Sequence, residues 1–472
     1  MRLQESRFLL DQKDKLKEII DILAKEFEYV SILGTDVDGK SYSVTTSKTA
    51  VMPSNDQERG FVLRVFQESG FSEYSFNKVD VEAVVARVRE IAKDDRLRFI
   101  ERGYLKYDKK PSDEPAKIYS VGEAKNLPGE DKPGEILERL KKAHDENIAK
   151  FDQVQFIQLG LSITQVNKIF LSVNRDLYQS YAYANGVVLA LADNGEKNKY
   201  EYKGLSILGG SELLDEIEGN VGPVCEKAEE LLTAEKIKPG LYDIICDPDF
   251  TGLIAHEAFG HGAEMDMFVK HRAKGQEYVN KRVASDSVIM HDGAAAIEEV
   301  SSYAFDDEGN MASDTVIIKN GILKTGMCDE LSALQLGVAP TGNGKRESFK
   351  RKAYTRMTNT FFEGGDDSLE DMIASIEEGY LLEGMHSGME DPKNWGIQCV
   401  AAKAREIKDG KLTGKIVSPV YLTGYVPELL GSISMVSKDV EMLGTGYCGK
   451  GWKEWVKTST GGAYIKAKGL LS

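Results

Sequence analysis

Residues 247–261 read Asp-Pro-Asp-Phe-Thr-Gly-Leu-Ile-Ala-His-Glu-Ala-Phe-Gly-His, and the five-residue step from His256 to His261 restricts the local fold more than any other feature. Asp247 is a good N-cap and Pro248 suits the first helical position, so the stretch predicts a helix. On a regular α-helix, side chains five apart point about 140° away from each other, against about 40° for side chains four apart. If both imidazoles serve one site, a turn must take up an extra residue. A π-bulge does this and brings the two nearly into line. Gly260 is where the backbone is expected to yield.

The plain alternative is two unrelated histidines. Against it, two of only six histidines lie here, beside Glu257. The pattern is one residue longer than the familiar zinc helix motif. A hydrolytic zinc site needs three protein ligands and one open position, so a third ligand is required. The candidates are Glu264, Asp266, His271, His291 and Cys448. Cys448 stands in Gly444-Thr445-Gly446-Tyr447-Cys448-Gly449-Lys450-Gly451, where glycines allow close approach and a thiolate suits zinc. The five cysteines are too few and scattered for a disulfide framework. Cys225, Cys246, Cys328 and Cys399 lack such a setting.

A chain of 472 residues exceeds one compact core, which implies two or three domains. Residues 11–27 read as an amphipathic helix through Leu16, Ile19, Ile20, Ile22 and Leu23. Asp38-Gly39 reads as a turn, 60–66 as a strand and 80–92 as a second helix, giving an N-terminal α/β region over 1–105. Residues 106–135 hold Pro111, Pro115, Pro128 and Pro133 among charged residues and read as a connector. A charged helix follows at about 134–150. The segment 136–234 reads as strand-rich, with Asn185-Gly186 as a hairpin turn and a helix near 222–234. The last domain, 235–472, opens on a strand at 241–246 and carries hairpin signals at Asn320-Gly321 and Asp409-Gly410. Strands and helices mix without βαβ alternation, so the expected class is α+β, multi-domain.

The net charge of −16 argues against nucleic acid or an anionic membrane surface as partner. No apolar run approaches the ~18 residues of a membrane span, and the N-terminus does not read as a signal peptide. The expected location is cytoplasmic.

Leu253–Gly262 (LIAHEAFGHG), Gly337–Phe349 (GVAPTGNGKRESF), Thr355–Thr360 (TRMTNT) and Tyr447-Cys448-Gly449-Lys450 together resemble the TldD/PmbA metallopeptidases. Arg59–Phe66 and Phe71 resemble them more weakly. The resemblance implies a TldD-type catalytic subunit, since PmbA-type subunits lack the His-Glu-x-x-x-His motif. It implies zinc on His256, His261 and Cys448, with Glu257 as general base. It also implies small or unfolded peptide substrates, held in a chamber enclosed by a dimer. The partner is either a second copy or a PmbA-like chain. Two segments depart from the family pattern: Ser387–Gly396, and Gly-Trp-Lys-Glu-Trp after Lys450.

Thr341–Arg346 is Gly-rich and basic but lacks the Lys-Ser/Thr ending of a phosphate loop. It reads instead as a substrate-cleft loop, with Asn343 and Arg346 as donors to a peptide. Trp395, Trp452 and Trp455 line a groove or pack in a core. The rival functions are a non-catalytic scaffold subunit and an amidohydrolase or deaminase using the same site. A redox-active thiol protein is disfavoured, because no Cys-x-x-Cys pair is present.

Overall fold

The computed structural model describes residues 1–54, 56–68, 70–102, 107–451 and 454–472; Trp452 lies outside them. The class is α+β, with two bodies of sheet. The first is an eight-stranded sheet whose main path runs Gly70–Phe76, Glu58–Gln67, Tyr29–Thr45, Val154–Ser172, Arg175–Asp193, Ala116–Val121. Tyr29–Thr45 pairs with Val154–Ser172 from Ser31↔Ser172 to Thr45↔Gln158. The N-terminal region and the strand-rich middle, expected as separate units, therefore share one sheet. The segment between them is not merely a connector, because Ala116–Val121 joins the sheet edge parallel to Arg175–Asp193.

Side chains alternate across this sheet. Ile32, Leu63 and Ile169 face the helices Lys13–Leu23 and Val81–Arg102, packing on Leu16, Ile19, Ile20 and Val88. Leu33, Val62 and Phe170 face the other way and pack on Phe305. Helices Pro133–Ile148 and Leu214–Glu230 pack on the Ile157, Leu159 and Val188 end. The last of these starts and ends earlier than the helix expected at 222–234.

Two turn expectations fail for one reason. Asn185-Gly186 lies in mid-strand within Arg175–Asp193, and Asp38-Gly39 within Tyr29–Thr45. A Cβ on Gly186 would stand 2.8 Å from Ile217 Cγ1, and one on Gly39 2.4 Å from the Ile163 carbonyl oxygen. These glycines serve close packing, and Asn185 Nδ2 donates to the Gly444 carbonyl at 3.0 Å. Asn320-Gly321 and Asp409-Gly410 do turn hairpins, with positive φ at all four residues, as a two-residue I′ turn needs.

In the C-terminal body, strands Glu378–Asp391, Gly240–Cys246, Ile465–Leu471, Val420–Tyr425 and Gly396–Lys408 follow one another, and the first also pairs with the last. The five close into a barrel. A second sheet contributes Asn359–Phe362 and Ser459–Gly462. The helix Pro248–Ile254 packs against both sheets, and Gly252 makes the fit possible: a Cβ there would lie 2.7 Å from the Gly461 nitrogen. Among the described residues, no helix is long and apolar enough to cross a membrane.

Candidate metal centre

Asp247 caps the motif helix, accepting from Phe250 N at 2.8 Å, and also accepts from Gly384 N at 2.8 Å. Burial, with Asp249 nearby, pushes its carboxyl up to about 7. The helix is α over Pro248–Ile254 and then π over Ala255–Gly260, as the histidine spacing demands. Gly260 has ordinary helical angles (φ −58°, ψ −56°), so it is not a point of backbone strain. It makes room instead, since a Cβ would meet Met357 Sδ at 2.3 Å.

The widened turn brings His256 and His261 edge to face, with ring centroids 5.1 Å apart. Cys448 arrives from the hairpin of Tyr447–Cys448 with Val456–Lys457. Its Sγ lies 3.5 Å from His261 Nε2, and donor atoms of all three residues lie within 4.8 Å of one another. Among the described residues this is the one such group of three or more that could hold a metal ion. His256 Nδ1 is buried without a hydrogen-bond partner. Burial works to raise the Cys448 thiol, but His256 and His261 outweigh it and bring the thiol down to about 5. Burial would likewise lower His261, yet Cys448 and Glu264 hold it well above the usual histidine range.

Glu264 and Asp266, two of the open candidates, stand behind the cluster. Glu264 Oε2 lies 3.3 Å from His261 Nδ1. Lys450 Nζ donates to Glu264 at 3.1 Å, to Asp266 at 2.6 Å and to the Thr355 carbonyl at 3.0 Å. Arg356, fully buried, donates to the Cys448 carbonyl at 2.6 Å, and its Nε is 3.6 Å from Glu264. One ionic network thus grips His261 from one side and the Cys448 loop from the other. Although Arg356 and Lys450 lie within the resembling segments, nothing local signalled their roles. His291 is spent on Asp314 and Glu363, and His271 on Gln276.

Glu257 is half-buried on the widened turn, opposite Gly388, whose Cβ would stand 2.5 Å from Glu257 Cγ. The atypical segment 387–396 therefore packs directly on the motif. Its Glu390 is half-buried near Gly262, with both carboxyl oxygens buried and unpartnered, and their burial raises that carboxyl well above the usual range. Trp395 is core, ringed by Phe259, Tyr278 and Tyr425.

The assignment of Asn343 and Arg346 to substrate is corrected. Asn343 is fully buried, donating to Asp292 at 2.7 Å and the Arg356 carbonyl at 2.9 Å, and accepting from Thr341. Arg346 is committed through both terminal nitrogens, to Glu73 at 2.6 Å and the Arg351 carbonyl at 2.6 Å. Both hold the fold together.

Residues 239–470 match the family model described as the PmbA/TldA metallopeptidase C-terminal domain. The chain belongs to the PmbA/TldD family. A relative named a metalloprotease, from Methanothermobacter thermautotrophicus, is 32% identical over 60% of this chain and 62% of its own length. Another, named a zinc metalloprotease TldD homolog, from Saccharolobus solfataricus, is 33% identical over 49% of this chain and 52% of its own. Both alignments span less than two thirds of the relative. The solved structure of TldE from Thermococcus kodakarensis shares the fold of this PmbA/TldD member, with a TM-score of 0.74 at 21% identity over 97% of this chain and 99% of that one.

Proposed function

We propose that the chain is a zinc-dependent peptidase in which His256, His261 and Cys448 hold the metal and Glu257 is the general base. The observation that carries this reading is the convergence of two imidazoles and one thiolate. A sulfur and a nitrogen on one tetrahedral zinc, at ~2.3 and ~2.0–2.1 Å, stand about 3.5 Å apart. Cys448 Sγ and His261 Nε2 are separated by 3.5 Å. The mixed nitrogen and sulfur donors suit zinc, and three ligands leave one position open. The chemistry a bound zinc supplies is Lewis acidity, which polarises a carbonyl and lowers the pKa of water to about 7.

The chain's own groups do the rest. Glu257 takes a proton from water and passes it to the leaving amine. Glu264 fixes the His261 ring through Nδ1, leaving Nε2 to the metal. Substrates are small or unfolded peptides, held as an added strand in a chamber enclosed by a dimer. The chain is the TldD-type subunit, paired with its own copy or with a PmbA-like chain, in the cytoplasm.

Purified protein should carry about one zinc per chain. Chelation should abolish peptide hydrolysis, and zinc should restore it. Full activity in rigorously metal-free protein would sink the reading, and absence of both zinc and activity would favour a scaffold subunit. Glu264→Gln removes the charge behind His261 but keeps an acceptor. Its zinc affinity should fall about 10–100-fold, as for other outer-shell partners. A chelator-competition titration giving the wild-type affinity would free Glu264 of this role.

A further inference from the structure

The segment 387–396, which departs from the family pattern, lays against the motif a carboxyl group with no partner of its own. Glu390 is half-buried as a residue, yet both its carboxyl oxygens are buried and neither has a hydrogen-bond partner among the described residues. A Cβ on Gly262, the residue after His261, would stand 2.9 Å from Glu390 Oε1, so glycine there makes room for the carboxyl. Glu390 lies within electrostatic reach of His261, Glu257 and Glu264. It is not one of the three converging donors, so it stands beside the metal centre and not in it.

The cations around the motif are spent on other groups. Lys450 donates to Glu264 and Asp266, Arg356 to the Cys448 and Glu454 carbonyls, and Lys274 to the Tyr425 hydroxyl at 3.1 Å. The indole Nε1 of Trp395, 3.7 Å from the same point over Gly262, is also buried and unpartnered. It is neutral and has a single N–H, so it can serve one of the two carboxyl oxygens at most. A buried acceptor left without a donor is costly, and a charged one more so. The other oxygen calls for a donor from outside, and a carboxylate favours a cationic one.

We propose that Glu390 determines specificity by receiving a cationic nitrogen of the peptide, either its α-ammonium or the side chain of a lysine or arginine. The proposal rests on the peptidase reading, which supplies the class of ligand. Part of the residue is open to solvent, so an entering peptide can reach it and the side chain can rotate to meet the charge. In a peptide the α-carbon alone separates the α-ammonium from the first carbonyl. Its capture beside the metal centre would present the first peptide bond for hydrolysis and make the enzyme an aminopeptidase. Capture of a basic side chain would direct cleavage next to lysine or arginine instead.

The test separates binding from turnover. Three peptide amides, Ala-Ala-Ala with a free amine, N-acetyl-Ala-Ala-Ala and N-acetyl-Ala-Lys-Ala, are titrated calorimetrically into the full chain carrying Glu257→Gln and its zinc. At least one cationic peptide should bind about 10–100-fold tighter than N-acetyl-Ala-Ala-Ala, the usual worth of a hydrogen bond to a charged group. Preference for the free amine assigns the α-ammonium, and preference for the lysine peptide assigns the side chain. Adding Glu390→Gln should erase the preference. If that variant does not fold, the comparison of cationic with acetylated peptide on the chain with Glu390 intact still decides. Equal binding of all three peptides, or no binding of any at millimolar concentration, overturns the proposal. The same peptides are offered to the unaltered chain as substrates. Hydrolysis with equal binding removes Glu390 and leaves the peptidase standing, while preferential binding without hydrolysis removes the peptidase and leaves the cation site.

Discussion

Glu257→Gln should keep its zinc and its fold and lose about 10²–10⁴-fold in turnover, the usual worth of a positioned general base. That loss corresponds to about 2.7–5.4 kcal/mol of barrier. Glutamine matches glutamate in size and can still hydrogen-bond, but it cannot accept a proton at neutral pH. Glu257 is not among the three converging donors, so metal content should stay with the wild type. Its backbone is fixed by the π turn and its stem by the close approach of Gly388, so the variant side chain has one place to go. The measurement is kcat at matched zinc content. Normal turnover in the Gln variant would take Glu257 out of the mechanism, and loss of zinc would recast it as part of the metal shell.

What the sequence revealed depended on how far apart the interacting residues lie. The spacing of His256 and His261 demands a widened turn, and the π segment Ala255–Gly260 supplies it. The apolar stripe Leu16, Ile19, Ile20, Leu23 is likewise local, and it faces the core. Asn-Gly and Asp-Gly pairs were ambiguous because glycine answers two needs. At 320–321 and 409–410 the need is positive φ, while at 185–186 it is room for Ile217. Only tertiary packing distinguishes them. Asn343 and Arg346 failed for the same reason. A Gly-rich basic loop looks exposed, yet the partners that bury it, Asp292 and Glu73, are 51 and 273 residues away. Glu264 was read as a ligand candidate from proximity in sequence, and it stands behind a ligand candidate instead. That distinction rests on Lys450, 186 residues further on, which holds its carboxylate against the Nδ1 side of His261, not among the converging donors.

Cys448→Ser should cost more zinc affinity than the ~10–100-fold typical of an outer-shell change, because it removes a donor outright. A hydroxyl is a poor substitute for a thiolate toward zinc. The other cysteines provide the control. Burial raises Cys225 to about 12, and raises Cys246, Cys328 and Cys399 well above the usual thiol range. Cys448 is the exception, pulled down to about 5 by the two histidines despite its burial. Serine at 225, 246, 328 or 399 should therefore change stability without changing zinc affinity. The loop should not collapse in the 448 variant, since Arg356 grips the Cys448 carbonyl and Lys450 ties the loop to the Thr355 carbonyl, and neither contact uses the sulfur. Any loss of zinc then reports the missing donor, not a displaced loop. Titration of each Ser variant against a chromophoric chelator reads this directly. If Cys448→Ser binds zinc as tightly as Cys225→Ser, the thiol is not a ligand. The third donor would then have to be Glu264, released from Lys450 by a rearrangement that a Lys450→Met variant should make easier.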